Sequence, residues 1–125
     1  MVKWKYGLWL DDERQPTEIF KRIVERYFVA ESYEDAIFYL ANFTEDENYE
    51  DLFISFDHDL GEEKTGYDLA KYLLEHDIDI GGFTIHSMNP VGAKNIYDLL
   101  SHYDYKYWPT FGTNFWRNSG ISSAW

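Results

Sequence analysis

Three short stretches of this 125-residue chain carry residue types that do chemistry: LDDERQP at Leu10 to Pro16, FDHDLG at Phe56 to Gly61 and HSMNPVG at His86 to Gly92. Carboxylates brought together repel one another when ionised. A hard divalent cation removes that repulsion, and magnesium in particular takes oxygen ligands, keeps several waters and is usually held by one or two carboxylates plus phosphate oxygens. Asp11, Asp12 and Asp57 are the candidate ligands for Mg2+, or for another divalent cation such as Mn2+, with Asp59 either joining them or orienting His58. His58 and His86 are the candidate proton carriers, since imidazole titrates near neutral pH. Ser87 and Asn89 stand before Pro90, where the backbone N–H groups opening a helix would also attract an anion. Any one of these acids alone would be an ordinary helix cap or solvated loop residue. Their recurrence after several apolar runs points to a shared site. His76 and His102 fall at predicted helix ends and receive no role.

The elements that would position these residues alternate strand with helix. YGLWL (Tyr6 to Leu10) is an apolar run that stops at Asp11. Pro16 and Thr17 open a helix over IFKRIVERY, with Ile19, Phe20, Ile23 and Val24 on one face. YFVA (Tyr27 to Ala30) is a second strand, and Ser32 is placed to cap the helix SYEDAIFYLANF. TEDENYED is an acidic connector with little reason to pack. LFISF (Leu52 to Phe56) is the third strand, Gly66 to His76 a helix, GFTIH (Gly82 to His86) the fourth strand, and Pro90 suits the first turn of a last helix. Residues 104–125 read as one further strand and an aromatic tail. Short, nearly continuous apolar strands suit a parallel sheet covered on both faces. The predicted fold is therefore an α/β three-layer, doubly wound, mostly parallel sheet of about five strands, flavodoxin-like, in one domain over 1–125 with a βα core at 1–103. In such sheets the functional crevice lies at the carboxyl ends of the strands, where all three motifs fall. Alternation sends successive side chains to opposite faces, so only some of these residues share a pocket.

Composition narrows the classes. With 23 acidic and 11 basic residues the net charge is −12, which argues against extended nonspecific binding to nucleic acid. A bound metal ion can still reverse the local sign for a phosphate-bearing small molecule or a nucleic-acid end. The absence of cysteine removes disulfides, thiolate metal sites and thiol nucleophiles. No stretch approaches the roughly 18 apolar residues of a membrane span, and the N-terminus does not read as a signal peptide. A cytoplasmic protein without membrane association is the expectation.

An acidic pair after the first strand, an aspartate after the third and a serine after the fourth resemble the receiver domain of two-component response regulators. That resemblance implies Asp57 as phosphoryl acceptor, Asp11 and Asp12 as magnesium holders, and Ser87 as the hydroxyl that contacts the phosphoryl group. The chain departs from ordinary receivers after the fifth strand, where they carry lysine followed by proline; here Lys106 is followed by Tyr107, Trp108 and Pro109. The three motifs together are similar to a divergent branch, the cyclic-phosphate processing receiver domains. The likeness implies metal-dependent phosphoesterase chemistry on cyclic phosphates of nucleotides or RNA ends. On that reading Arg14 steadies a phosphate oxygen through its planar fork, and His58 or His86 moves the proton. Two other classes fit the same residues. One is a signalling or phosphate-binding module without turnover. The other is an acidic interaction protein, such as a viral one, for which Trp108, Trp116 and Trp125 would be contacts.

Overall fold

In a computed structural model the described residues are 2–43 and 47–109. Strands β1 (Trp4–Leu10), β2 (Val24–Ala30), β3 (Leu52–Phe56) and β4 (Gly82–Ile85) form one parallel sheet in the order β2-β1-β3-β4. Helices α1 (Glu18–Ile23), α2 (Tyr33–Ala41), α3 (Gly66–Glu75) and α4 (Pro90–His102) connect them or follow the last. The predicted fold class holds, with four strands among the described residues. Beyond β4, Tyr107 makes a single parallel bridge to Phe83, closed by Phe83 N to Lys106 O at 2.9 Å and Trp108 N to Phe83 O at 2.8 Å. That is one rung where a fifth strand was predicted. The remainder of the predicted tail, with Trp116 and Trp125, lies outside the described residues.

Alternation along the strands builds two apolar layers. Leu8, Leu10, Leu52, Ile54, Phe56, Phe83 and Ile85 face α2, α3 and α4, meeting Leu40, Leu69, Leu73, Ile96 and Leu100. Trp9 and Phe53 face the opposite way, toward Phe20 of α1. Two runs differ from the sequence reading. The first helix ends at Ile23 rather than continuing to Tyr27, because Val24 pairs with Trp4 and starts β2. A β-branched residue stiff at χ1 fits the pleated edge better than another helical turn. In the acidic connector, Tyr49 packs against the core and donates its hydroxyl to Leu40 O at 2.7 Å.

The helix starts are capped as the side chains require. Thr17, Ser32 and Asn89 accept backbone N–H groups of the first turns of α1, α2 and α4, and Thr65 with Asp68 forms a capping box on α3. The chain steps from β1 outward to β2, then crosses back to β3 and β4. The point where its direction reverses lies between β1 and β3, and a crevice opens there at their carboxyl ends. No helix among the described residues is long and apolar enough to cross a membrane.

Candidate active site

The ladder that ends the sheet sets the floor of the site. Leu10, Phe56 and Ile85 stand in one row. One residue further, Asp11 N donates to Ala30 O, Asp57 N to Leu10 O and His86 N to Phe56 O, at 2.9–3.0 Å. Asp11, Asp57 and His86 therefore form the next row. They point to the same face as Trp9, Ser55 and Thr84, two residues earlier on each strand. All three are buried, at 2 %, 6 % and 5 % exposure. One ligand atom from each lies within 4.8 Å of the others, so the group could hold a metal ion.

Asp11 is saturated. Its Oδ1 accepts Glu13 N at 2.8 Å and Arg14 N at 2.9 Å; its Oδ2 accepts Arg14 Nε at 3.1 Å and lies 3.0 Å from His86 Nε2. Burial would raise its pKa, but these hydrogen bonds outweigh it and hold the carboxyl at about 2. The loop is tied down as well by Trp9 Nε1, which donates to Arg14 O at 2.8 Å. Asp57 is the contrary case. Burial and the neighbouring charge of Asp11 raise it to about 6, against the opposing effects of Arg14, His58 N–H and the Ser87 hydroxyl. Arg14 Nη2 lies 3.6 Å from Asp57 Oδ1. Two carboxylates pushed apart in this way are suited to different tasks.

The two histidines part company. His86 stacks on Trp9, with ring centroids 3.8 Å apart, and its Nδ1 lies 2.7 Å from Ser55 Oγ. Burial pushes its pKa down against the pull of Asp11. His58 leaves the backbone away from that row and lies over the first turn of α4. There a side chain on Gly92 would collide with its ring. Its Nδ1 lies 2.9 Å from Asp59 Oδ1, and Asn89 Nδ2 donates to Asp59 Oδ2 at 3.2 Å. The bond from His58, eased by that from Asn89, keeps Asp59 below the ordinary carboxylate range against a smaller effect of burial. Asn89 Oδ1 meanwhile caps α4 through Gly92 N at 3.0 Å.

A cavity of about 520 Å³ opens over the row, lined by Asp11, Asp12, Glu13, Arg14, Asp57, Asp59, Gly61, Met88 and Asn89. Asp12 lies on Gly61, whose φ of +68° few other residues adopt without strain. Ser87 is fully buried, accepting Asn89 N at 3.0 Å. Lys106 lies elsewhere, lining a second cavity with Glu50 and Gly81 at the amino end of β4. Sequence reasoning missed Ser55 and Trp9. The available signal was period two, since each stands two residues before a candidate acid and so shares its face.

A parallel sheet in this order, with acidic groups ending β1 and β3, defines a receiver-like domain. The chain belongs to the family described as the cyclic-phosphate processing receiver domain, whose model matches residues 6–102. Searches of curated proteins and of solved structures returned no match.

Proposed function

We propose that this domain is a metal-dependent phosphoesterase acting on cyclic phosphates of nucleotides or RNA ends. The observation that carries this reading is the pairing of Asp57 with Arg14 at 3.6 Å on one wall of an otherwise acidic cavity. One arginine among Asp11, Asp12, Glu13, Asp57 and Asp59 would not hold a phosphate by itself. The donor set suits a divalent cation such as Mg2+ or Mn2+, anchored on Asp57 with carboxylate oxygens of Asp12 or Asp59, while Asp11, its acceptor positions already engaged, would contribute its charge. The cation would neutralise the wall and polarise a phosphate oxygen. Arg14 binds a second oxygen. Ser87 and Asn89 keep the start of α4 in place beside it.

In hydrolysis, water oxygen bonds to phosphorus, the bond to the 2′ or 3′ oxygen breaks, and that oxygen takes up a proton. Of the two histidines, His58 suits the transfer better. Both ring nitrogens of His86 are engaged, whereas His58 is held at Nδ1 by Asp59, which stands on the cavity wall with Asn89.

The test is incubation with 2′,3′-cyclic AMP and Mg2+ or Mn2+, followed by phosphorus NMR. Conversion to a monophosphate is expected, with loss of at least about a hundredfold in rate for Asp57→Asn or His58→Ala. Chelator is expected to stop it. Absence of conversion with every divalent cation tried would sink the proposal. A second reading, phosphoacceptor signalling, draws on the Ser87 hydroxyl, which favours the charged form of Asp57. It predicts instead an Asp57-dependent gain of one phosphoryl group in intact mass after acetyl phosphate.

A further inference from the structure

One buried polar group of the row, His86, has no duty in the scheme above. His86 has both ring nitrogens engaged, Nε2 with Asp11 Oδ2 at 3.0 Å and Nδ1 with Ser55 Oγ at 2.7 Å. An ionised carboxylate only accepts, so a hydrogen sits on Nε2; Ser55 Oγ, which can donate or accept, closes the contact at Nδ1. Ser55 is fully buried. The Trp9 indole lies within 5° of parallel to the imidazole and blocks its rotation out of this plane. A ring fixed in this way has neither a spare hydrogen nor a spare lone pair for a substrate.

What the ring does hold is Asp11, and the same Oδ2 holds Arg14 Nε at 3.1 Å. A continuous chain thus runs from Ser55 Oγ through His86 and Asp11 to the guanidinium facing Asp57.

We propose that Ser55, Trp9 and His86 are positioning residues that fix Asp11, and through Asp11 the Arg14 fork, so that the fork presents its outer N–H groups to a phosphate beside Asp57. Only the last link, what Arg14 holds, rests on the phosphoesterase reading. The hydrogen on Nε2 is what makes the arrangement work. Hydrogen on the other nitrogen alone would leave two lone pairs, those of Nε2 and Asp11 Oδ2, facing each other in a buried site.

The decisive comparison is His86→Gln with His86→Ala. Glutamine places an amide N–H near the position of Nε2–H but relays no proton; alanine removes the donor. Nitrogen NMR of the metal-free protein should show the His86 hydrogen on Nε2 and an Arg14 Nε–H that exchanges slowly with water. That slow exchange should survive in His86→Gln and disappear in His86→Ala. Ser55→Ala should weaken it. With 2′,3′-cyclic AMP, KM should rise about tenfold or more in His86→Ala, while His86→Gln stays within about threefold of the wild type in kcat and KM. Three results would overturn the proposal: no hydrogen on Nε2, Arg14 exchange indifferent to His86→Ala, or a kcat in His86→Gln as low as in His86→Ala. If the wild type hydrolyses no cyclic phosphate, the phosphoesterase reading fails and the NMR results alone decide the positioning role. Should His86→Ala not fold, His86→Gln and Ser55→Ala still decide it.

Discussion

Asp57 is where burial, charge and position conflict most strongly. Its carboxyl is raised to about 6 from an ordinary 3.8, so in the metal-free protein the folded state binds a proton more tightly than the unfolded chain does. Folding stability must then fall as pH rises from about 4 to about 6 and stay reduced above that. Asp57→Asn is neutral at every pH and keeps an oxygen for His58 N–H. It should therefore be more stable than the wild type at pH 8, by at most about 3 kcal/mol, with little difference at pH 4. Thermal unfolding in chelator at both pH values measures this, and equal midpoint changes at pH 4 and pH 8 would remove the buried-charge account. The place of Asp57 at the end of β3 was legible in the sequence, because an apolar run that stops at charge is visible without coordinates. The different settings of His58 and His86 were not. They depend on which side of the backbone each ring leaves, and on Ser55, a single hydroxyl inside a strand that otherwise reads as core.

At the scale of elements, two helix starts are held against the loop after β3 by glycine, and they should respond differently to a methyl group. A Cβ on Gly66 would collide with the backbone carbonyl of Asp57, which is fixed in the sheet ladder. Gly66→Ala should destabilise the whole domain by about 1–3 kcal/mol. A Cβ on Gly92 meets the His58 ring, 2.6 Å from Cδ2 and 2.7 Å from Nδ1, and a side chain can turn away. Gly92→Ala should leave the unfolding midpoint nearly unchanged, helped by the better helix propensity of alanine, while breaking the His58–Asp59 pair and lowering turnover. Denaturation and rate measurements on both variants check this contrast. The same scale shows where periodicity misleads. Ile19 to Tyr27 carries a helical stripe on paper, yet β2 takes over at Val24 because β1 offers an edge seven residues long. Such a pairing partner is invisible to a local pattern.

The whole molecule carries a net charge of −12 and a pI near 4.5. Self-repulsion of that size opposes the compact state and is screened by salt. A screening gain of about 1 kcal/mol raises the unfolding midpoint by roughly 4 °C for a domain of this length. Sodium chloride should produce a rise of that kind. At equal ionic strength Mg2+ or Mn2+ should add a further rise in the wild type that is missing in Asp57→Ala. An equal response of both proteins would mean that the cations only screen. Fold class followed from the sequence because alternating apolar runs dictate a parallel α/β sheet. The strand count came close, with the fifth strand represented among the described residues by the single rung at Tyr107.

The ladder that runs one residue past β1, β3 and β4 divides the site by timescale. The amides of Asp11, Asp57 and His86 are donors in the sheet itself, so they should exchange with deuterium about as slowly as the strand interiors, only when the sheet opens. His58 and Asp59 hang from a loop beyond that ladder, whereas Arg14 is tied to it through Asp11 and through its carbonyl, which accepts Trp9 Nε1. A ligand entering from solvent would thus meet a floor already set at the moment of folding and a rim that adjusts on arrival, with the selection of ligands falling to the rim.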